Sequence, residues 1–408
     1  MTFALPNFFK IICSKILTSI VFVVFFSACS AIETTHIAPP AKVDLEQILI
    51  PPEGVSEELL SEPEVDLLGL SPAMKKFVDT YVPKKGTREE KLEKLFDAIS
   101  YNPDYKIQYD ARATLTGADV FKTQRGNCLA FSAMFIALAR EAGLVANFQQ
   151  VDVPPSWDAL SDEVLIQYRH VNAKIQLKYG RDGVIDFRID RYSETYPRQI
   201  LSDDMGLALY YSNISMQHVV EGDFARAYVA SKRALEADSS TAFIWNNMGI
   251  VQRRLGNLSL AEASYRQALQ LNPYDWSALN NLAFVFDKYN EKERADELRQ
   301  LSDKYKLRDP YYRYALAQYS YRKGDYNEVI ELLDVSVSKR RSEHRFYYLR
   351  GLAYWEQGDK QRAISDVKKA IKVSKNSSFT QSNVLVIQAR YERTLDSWEA
   401  QPKLKSKG

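Results

Sequence analysis

The feature that most constrains this chain is a repeat of fixed length in its C-terminal half. Turn-forming residues stand at Gly222, Gly256, Asn290, Gly324 and Gly358, each 34 residues after the one before. A period of 34 is typical of helix–turn–helix units that stack on one another. Alanine or valine recurs five positions after each turn, where two helices must approach closely: Ala227, Ala261, Ala295, Val329 and Ala363. The pattern predicts five stacked helix pairs over residues 208–377.

The second unit resembles a tetratricopeptide repeat. It carries the run from Trp245 to Gly249, followed by the residues Gly256, Ala261, Tyr265, Ala268 and Pro273. The resemblance implies an all-α solenoid whose concave face holds a protein or peptide partner. The residues ten positions before each turn would line that face: Ser212, Asn246, Asn280, Tyr314 and Tyr348. Two interpretations stay open, namely that these side chains bind a peptide or that they are only solvated.

Two segments follow the repeats. The amphipathic stretch 378–398 is predicted to form a helix that covers the apolar edge of the last repeat. The lysine-containing tail 399–408 is predicted to be disordered.

Residues 1–28 have the features of an export signal. Two lysines precede an apolar run that ends at position 28, and the segment has no acidic residue. This pattern is typical of a signal peptide. The junction before Cys29 resembles the lipobox of bacterial lipoproteins, which implies that Cys29 is lipidated and anchors the chain to a membrane. Under that resemblance Ser30 implies the outer membrane of a Gram-negative cell, facing the periplasm. The alternative is an uncleaved anchor over residues 16–32.

Residues 29–70 are predicted to form an extended tether. Positions 30–70 carry nine acidic residues against one lysine, together with five prolines, a composition that is typical of self-repelling, solvated chain. The sequence leaves open whether the apolar clusters 48–50 and 67–68 dock onto the folded part. In the whole chain 54 basic residues face 52 acidic ones, so the positive charge expected of a nucleic-acid-binding protein is missing.

Residues 71–207 contain a cysteine at a position that suits a nucleophile. The glycine turn at Gly126 leads into a predicted helix of about 14 residues, which Gly143 ends. Cys128 stands at the start of this helix, where unpaired amide hydrogens and the helix dipole stabilise an anion. Of the two other cysteines, one leaves with the signal peptide and one would be lipidated. A lone thiol is either inert and buried or a nucleophile, and the helix start favours the nucleophile.

A histidine and two aspartates lie on the strands predicted next. Apolar and polar residues alternate over positions 168–179, which predicts a half-buried strand with His170 on its polar face. A cysteine nucleophile needs an imidazole to take and return protons, and His170 is the only histidine between tether and repeats. The following strand carries Asp186 and Asp190 on the face opposite its apolar residues.

This order of residues resembles the transglutaminase-like superfamily over residues 87–200. The resemblance implies an α+β fold related to papain, with Cys128, His170 and Asp186 as the catalytic triad. The motif favours Asp186, whereas a hairpin centred on Gly180 would bring Asp190 nearer to His170. The implied chemistry is attack of the cysteine on a peptide amide, ending in hydrolysis or acyl transfer. It requires no organic cofactor, and no two histidines lie at the spacing of metal ligands.

Two functions are consistent with these features. The first is a lipid-anchored periplasmic cysteine enzyme whose repeats bind a protein or peptide partner. The second is a catalytically inactive adaptor or assembly lipoprotein that acts through its repeats. Because the link between residue 190 and the first repeat is short, the solenoid is expected to dock rigidly, while residues 71–207 are expected to bury their own core.

Overall fold

The structure is a computed structural model that describes part of the chain. The described residues are 45–103, 105–151, 158–161, 164–166, 170–178, 182–187, 196–375 and 381–400. The predicted signal peptide 1–28, the lipidation of Cys29 and the alternative Asp190 lie outside them, as does the tail from residue 401 onwards.

The N-terminal part combines helices with a main sheet. Its helices are α1 (Leu45–Ile48), α2 (Glu57–Leu60), α3 (Pro72–Tyr81), α4 (Arg88–Ser100), α5 (Gly117–Thr123) and α6 (Cys128–Glu141). Its strands are β1 (Gln108–Tyr109), β2 (Arg125–Gly126), β3 (Val145–Val151), β4 (Asp158–Ser161), β5 (Val164–Ile166), β6 (His170–Gln176), β7 (Asp182–Ile185) and β8 (Arg198–Leu201). An antiparallel sheet has the order β7-β6-β3-β8, while β1 pairs with β2 and β4 with β5.

Helix α6 lies at the centre of this part because it is apolar on nearly every side. All of its residues from Leu129 to Ala139 are buried. The helix begins at Cys128, and Gly143 follows it with a φ of 79°, a left-handed conformation that glycine adopts readily. The helix and its end are where the sequence predicts them. The predicted α+β fold followed by an α-helical solenoid is confirmed.

The C-terminal part is helical. Its helices are α7 (Asp203–Glu221), α8 (Phe224–Ala237), α9 (Ala242–Arg254), α10 (Leu258–Leu271), α11 (Trp276–Lys288), α12 (Lys292–Lys306), α13 (Pro310–Lys323), α14 (Tyr326–Lys339), α15 (His344–Glu356), α16 (Lys360–Lys375) and α17 (Gln381–Glu399). No helix among the described residues is both long and apolar enough to span a bilayer.

The five predicted turn positions all adopt left-handed backbone. The φ angles are 83° at Gly222, 86° at Gly256, 59° at Asn290, 80° at Gly324 and 84° at Gly358. Glycine reaches this region without strain, and asparagine tolerates it better than other residues with a side chain. The regular spacing of the turns therefore reflects a backbone requirement that repeats with each helix pair.

The first repeat helix and the main sheet share one hydrophobic core. Helix α7 begins at Asp203, so the boundary predicted at residue 208 lies inside it. Leu209 of this helix is 5% exposed and belongs to the same buried cluster as Phe148 of β3. Arg140 of α6 donates to both carboxylate oxygens of Asp203, at 2.6 and 2.9 Å. The expectation that residues 71–207 bury their own core is corrected: α7 completes that core.

Residues 45–70, here called the N-terminal strap, contact the fold through buried side chains, whereas residues 29–44 of the predicted tether lie outside the described residues. Ile48 is fully buried, and its carbonyl oxygen accepts from the Tyr228 hydroxyl at 3.3 Å and from Gln252 Nε2 at 3.1 Å. Leu67 is buried in the core that contains α6, and its carbonyl oxygen accepts from the Gly117 amide at 3.0 Å. The apolar clusters 48–50 and 67–68 therefore each place a buried residue in the folded part, a point that the sequence leaves open.

Helix α17 packs against the last repeat. The rings of Trp398 and Trp355 stack with centroids 4.2 Å apart and planes 2° from parallel. Tyr391 and Trp398 are buried together with Val367 and Ala370 of α16. The helix therefore covers apolar side chains of the fifth helix pair, which is the role predicted for residues 378–398.

Candidate active site

Cys128 is placed by the cap of helix α6. The side chain of Asn127 accepts from the Ala130 amide through Oδ1 at 3.0 Å and donates to Thr114 Oγ1 through Nδ2 at 2.8 Å. Because this cap uses the third amide of the helix, the amides of Cys128 and Leu129 have no acceptor among the described residues. The thiol itself is half-buried and not in a disulfide. An anion that forms beside Cys128 would therefore meet donors that are not otherwise engaged.

His170 lies between Cys128 and Asp186. It opens strand β6, where it pairs in register with Val151 of β3. Its Nε2 lies 2.6 Å from Asp186 Oδ2, so the carboxylate accepts the Nε2 proton. The Cys128 side chain lies near enough to the same imidazole to raise its pKa. Since Nε2 is taken by the carboxylate, Nδ1 is the ring nitrogen that remains for the thiol.

The charge state of His170 follows from these neighbours. Burial alone would lower its pKa, but the hydrogen bonds with Asp186 and Cys128 and the negative charges of both partners outweigh burial and raise the pKa to about 9. His170 therefore holds its proton at neutral pH. A protonated imidazole beside a cysteine is the arrangement of a thiolate–imidazolium pair.

The register of the hairpin brings Asp186 to His170. Ala173 of β6 pairs with Ile185 of β7, so Asp186 lies beside Asn172 and diagonal to His170. The side chain of Asp186 is fully buried. Asn172 Nδ2 donates to Asp186 Oδ2 at 3.0 Å. Sequence reasoning missed Asn172 as part of the site, although its place on the polar face of His170's strand is a signal that could have found it.

Aromatic side chains and a cavity adjoin Asp186. Phe187 stacks on Tyr109 with ring centroids 5.7 Å apart and contacts Phe131 of α6 at 4.7 Å. Asp186, Phe187 and Phe131 also line a cavity of about 760 Å³, together with Leu92 and Phe96 of α4. The wall of this cavity is mainly apolar. The sequence contains no local signal for it, because its walls come from segments far apart in the chain.

The residues predicted to line the concave face mostly contact other helices. Asn246 is 6% exposed, accepts from Asn281 Nδ2 at 3.0 Å and donates to Ser277 Oγ at 3.4 Å. Ser212 accepts from Asn247 Nδ2 at 2.8 Å. These bonds join the second repeat to the first and to the third. Asn280 is half-buried.

The two tyrosines of this set are also packed within the solenoid. Tyr348 stacks on Tyr391 of α17 at 4.1 Å and bonds to Thr394 through its hydroxyl at 3.1 Å. The Tyr314 ring lies 5.4 Å from that of Phe346. A role of Asn246, Asn280, Tyr314 and Tyr348 in peptide binding stays a prediction.

Comparisons with protein families agree with both halves of the fold. Residues 75–180 match the transglutaminase-like superfamily, and residues 242–275 and 344–377 each match the tetratricopeptide repeat. The chain thus has a transglutaminase-like domain followed by tetratricopeptide repeats, as its sequence predicts.

Curated relatives match a limited part of the chain. The chain is 31% identical to the uncharacterized protein ycf37 of Pyropia yezoensis over 80 residues. This match covers 20% of the present chain and 45% of that protein. The chain is also 31% identical over 104 residues to the photosystem I assembly protein Ycf3 of Rippkaea orientalis. This match covers 24% of the present chain and 60% of that protein. The chain therefore spans about half the length of these relatives.

Solved structures match the repeats only as a fold. MamA is 23% identical in sequence to this chain, with a TM-score of 0.23. The match covers 41% of this chain and 92% of the MamA chain. YrrB, described as a tetratricopeptide-repeat protein with an unusual peptide-binding site, is 19% identical, covers 45% of this chain and 92% of its own, and has a TM-score of 0.23. Neither likeness carries an argument about function.

Proposed function

We propose that this protein is a lipid-anchored cysteine enzyme that breaks or exchanges an amide bond in a peptide or protein, and that its repeats bind the partner that carries this bond. The observation that supports the proposal most is the position of His170, which is hydrogen-bonded to Asp186 and whose pKa is raised by both Asp186 and the neighbouring Cys128. A nucleophile, an imidazole and an orienting carboxylate in this order are the groups that acyl transfer requires.

Each residue has a defined role in the proposed reaction. Cys128 Sγ attacks the amide carbonyl carbon, and the unengaged amide of Cys128 donates to the oxygen that becomes negative. His170 then gives its proton to the leaving nitrogen, the C–N bond breaks and a thioester remains. Water or an amine then attacks the thioester carbon and gives a proton to His170, the C–S bond breaks, and the product leaves as Cys128 Sγ is restored. Asp186 holds the ring so that Nδ1 faces the thiol.

The docking of the solenoid supports a role for the repeats in substrate binding. Because α7 shares its core with the catalytic domain, the repeats keep a fixed position relative to Cys128. A partner held by such a rigid surface would present its amide bond in one orientation, which lowers the entropic cost of reaction.

Lipid anchoring and location are part of the proposal and rest on the sequence. The export signal 1–28 and the lipobox-like Cys29 support an outer-membrane lipoprotein that faces the periplasm. Replacement of the anchor cysteine, Cys29→Ser, should abolish incorporation of labelled fatty acid and release the protein from membranes. Recovery of an intact 1–28 peptide from the membrane form would disprove this part.

The pH dependence of Cys128 alkylation tests the catalytic proposal. A thiolate–imidazolium pair should react with iodoacetamide at pH 6 to 7, with Cys128→Ser as the background that measures labelling of any other thiol. Labelling of periplasmic proteins with an electrophilic peptide probe should then depend on Cys128. A thiol that reacts only at alkaline pH would contradict the proposal.

A non-catalytic role in assembly is the second candidate. One relative favours this candidate, since Ycf3 is named a photosystem I assembly protein. If this candidate is correct, the Cys128→Ser variant should keep every function of the wild type in the cell, whereas removal of repeats should abolish it.

A further inference from the structure

Asp186 is held by a second donor that the catalytic triad does not include. Its Oδ2 accepts from His170 Nε2 at 2.6 Å and from Asn172 Nδ2 at 3.0 Å. Asn172 and His170 are two residues apart on β6, so their side chains leave the same face of the strand. Asn172 is fully buried, as is the side chain of Asp186.

Burial makes this second donor important for Asp186. Burying a carboxyl group away from water is costly unless hydrogen bonds replace its hydration. His170 supplies one such bond, but it also has to move during proton transfer. Asn172 supplies a bond from a side chain that carries no exchangeable charge and takes no part in the reaction.

The orientation of the Asn172 amide is fixed by the same contact. With Nδ2 towards Asp186, the amide oxygen Oδ1 points away, and it is buried without a donor among the described residues. Gln149 lies directly opposite on β3 and is 4% exposed. Its Oε1 is also buried without a donor there. Side chains that face each other across an antiparallel pair start from Cβ atoms about 5 Å apart.

Two adjacent buried acceptors without donors define a polar site of their own. Such groups in native proteins are nearly always satisfied, commonly by an ordered water. One water can donate a hydrogen to each of two acceptors. It would then hold the amide oxygen of Asn172 and keep its Nδ2 turned towards the carboxylate.

We propose that Asn172 is a positioning residue that keeps the Asp186 carboxylate aimed at His170, and that one buried water bridges Asn172 Oδ1 and Gln149 Oε1. This role rests on the proposed function, because it acts through the His170–Cys128 pair. Neither residue touches the substrate.

The test compares the pH dependence of Cys128 alkylation in three variants. Asn172→Leu keeps the volume and removes the donor that holds the Asp186 carboxylate against His170, so the low-pH limb of the pH–rate profile of alkylation should move up by about one pH unit. Asn172→Asp can donate through a protonated acid at low pH, so its low-pH limb should stay close to that of the wild type. Gln149→Leu, the matched control, leaves the donor to Asp186 in place and should shift the limb by less than Asn172→Leu does.

Two results would overturn the proposal. An unchanged low-pH limb in a folded Asn172→Leu protein, with folding checked by its thermal transition, would show that Asn172 does not act on Asp186. A high-resolution crystal structure of the wild type with Asn172 Oδ1 facing Asp186, or with no water between Asn172 and Gln149, would do the same without any variant. A wild type that is not alkylated at neutral pH would instead reject the proposed function, and the crystal structure would still test the amide and the water.

Discussion

Gly206 of α7 lies directly on the ring of Phe148 of β3. A Cβ at residue 206 would stand 2.5 Å from Cε2 of that ring, closer than any van der Waals contact allows. Phe148 is fully buried in the sheet, so its ring has little room to move. This contact joins the first repeat to the transglutaminase-like domain, and the absence of a side chain at position 206 makes it possible.

Gly206→Ala should therefore destabilise the protein. In an exposed helix, alanine is more favourable than glycine by about 1 kcal/mol, whereas the clash with Phe148 should cost about 1–3 kcal/mol as an overpacked core does. The measurement is the free energy of unfolding in denaturant. Asn213→Ala, at an exposed position of the same helix, is the control and should change the free energy by less than about 0.5 kcal/mol. A Gly206→Ala protein as stable as the wild type would refute the tight contact.

The shared core also predicts how truncated chains behave. A fragment of residues 71–207 lacks Leu209, most of α7 and the strap residue Leu67, so it should be insoluble or melt without a cooperative transition. A fragment of residues 45–271 keeps the strap and the first two helix pairs, and it should melt cooperatively. Thermal unfolding followed by circular dichroism distinguishes the two. A sharp transition in the shorter fragment would show that α7 is dispensable.

Local sequence was sufficient to predict the repeats and the place of Cys128 at the start of a helix. Each repeat turn needs a residue that can adopt left-handed backbone, such as Gly222 or Asn290. Glycine or asparagine therefore recurs at a fixed spacing in the sequence. Cys128 could be placed because the glycine turn and its helix form one continuous segment. The same reasoning selected His170, since no other histidine stands between the strap and the repeats.

Contacts between distant segments were not predictable in this way. The carbonyl oxygen of the buried Ile48 accepts from Tyr228 and Gln252, which are 180 and 204 residues further along the chain. Nor could local sequence place the carboxylate beside His170. Strand β7 ends at Ile185, opposite Ala173, and Asp186 follows it with Oδ2 2.6 Å from His170 Nε2, whereas Asp190 lies outside the described residues.

The raised pKa of His170 predicts a pH dependence of stability. The folded-state pKa is about 9, against about 6.5 in an unfolded chain. A group whose pKa is raised on folding contributes stability that is complete below the unfolded value and is lost as the pH rises through the folded value. The wild type should therefore lose about 3 kcal/mol of unfolding free energy from this group between pH 6 and pH 9.5.

The variant His170→Gln isolates this contribution. The free energy of unfolding of each protein is measured in denaturant at pH 6 and at pH 9.5. The change between the two pH values in the variant is then subtracted from the change in the wild type. Other groups that titrate in this range contribute to both proteins and cancel to first order. An equal pH dependence in wild type and variant would mean that the environment of His170 does not raise its pKa.

Asp186→Asn should weaken the thiolate–imidazolium pair. Without the carboxylate, burial is opposed only by Cys128, so the pKa of His170 should fall and alkylation of Cys128 at neutral pH should slow by about ten-fold or more. Asp182→Asn is the matched control, because Asp182 lies on the same hairpin but pairs with Lys174 at 2.8 Å on the surface. Similar slowing in both variants would indicate a general disturbance of the hairpin and not a role of Asp186.

The N-terminal strap should contribute to stability through Ile48. Its side chain is fully buried, while that of Ile50, two residues later, is 60% exposed. Removing a buried isoleucine side chain leaves a cavity and costs about 2–5 kcal/mol, whereas the same change at an exposed site costs little. Ile48→Ala should thus lower the free energy of unfolding by at least about 2 kcal/mol, and Ile50→Ala by less than about 1 kcal/mol. The comparison holds residue type and neighbourhood constant, so equal effects of the two variants would show that the strap does not dock between the helices that carry Tyr228 and Gln252.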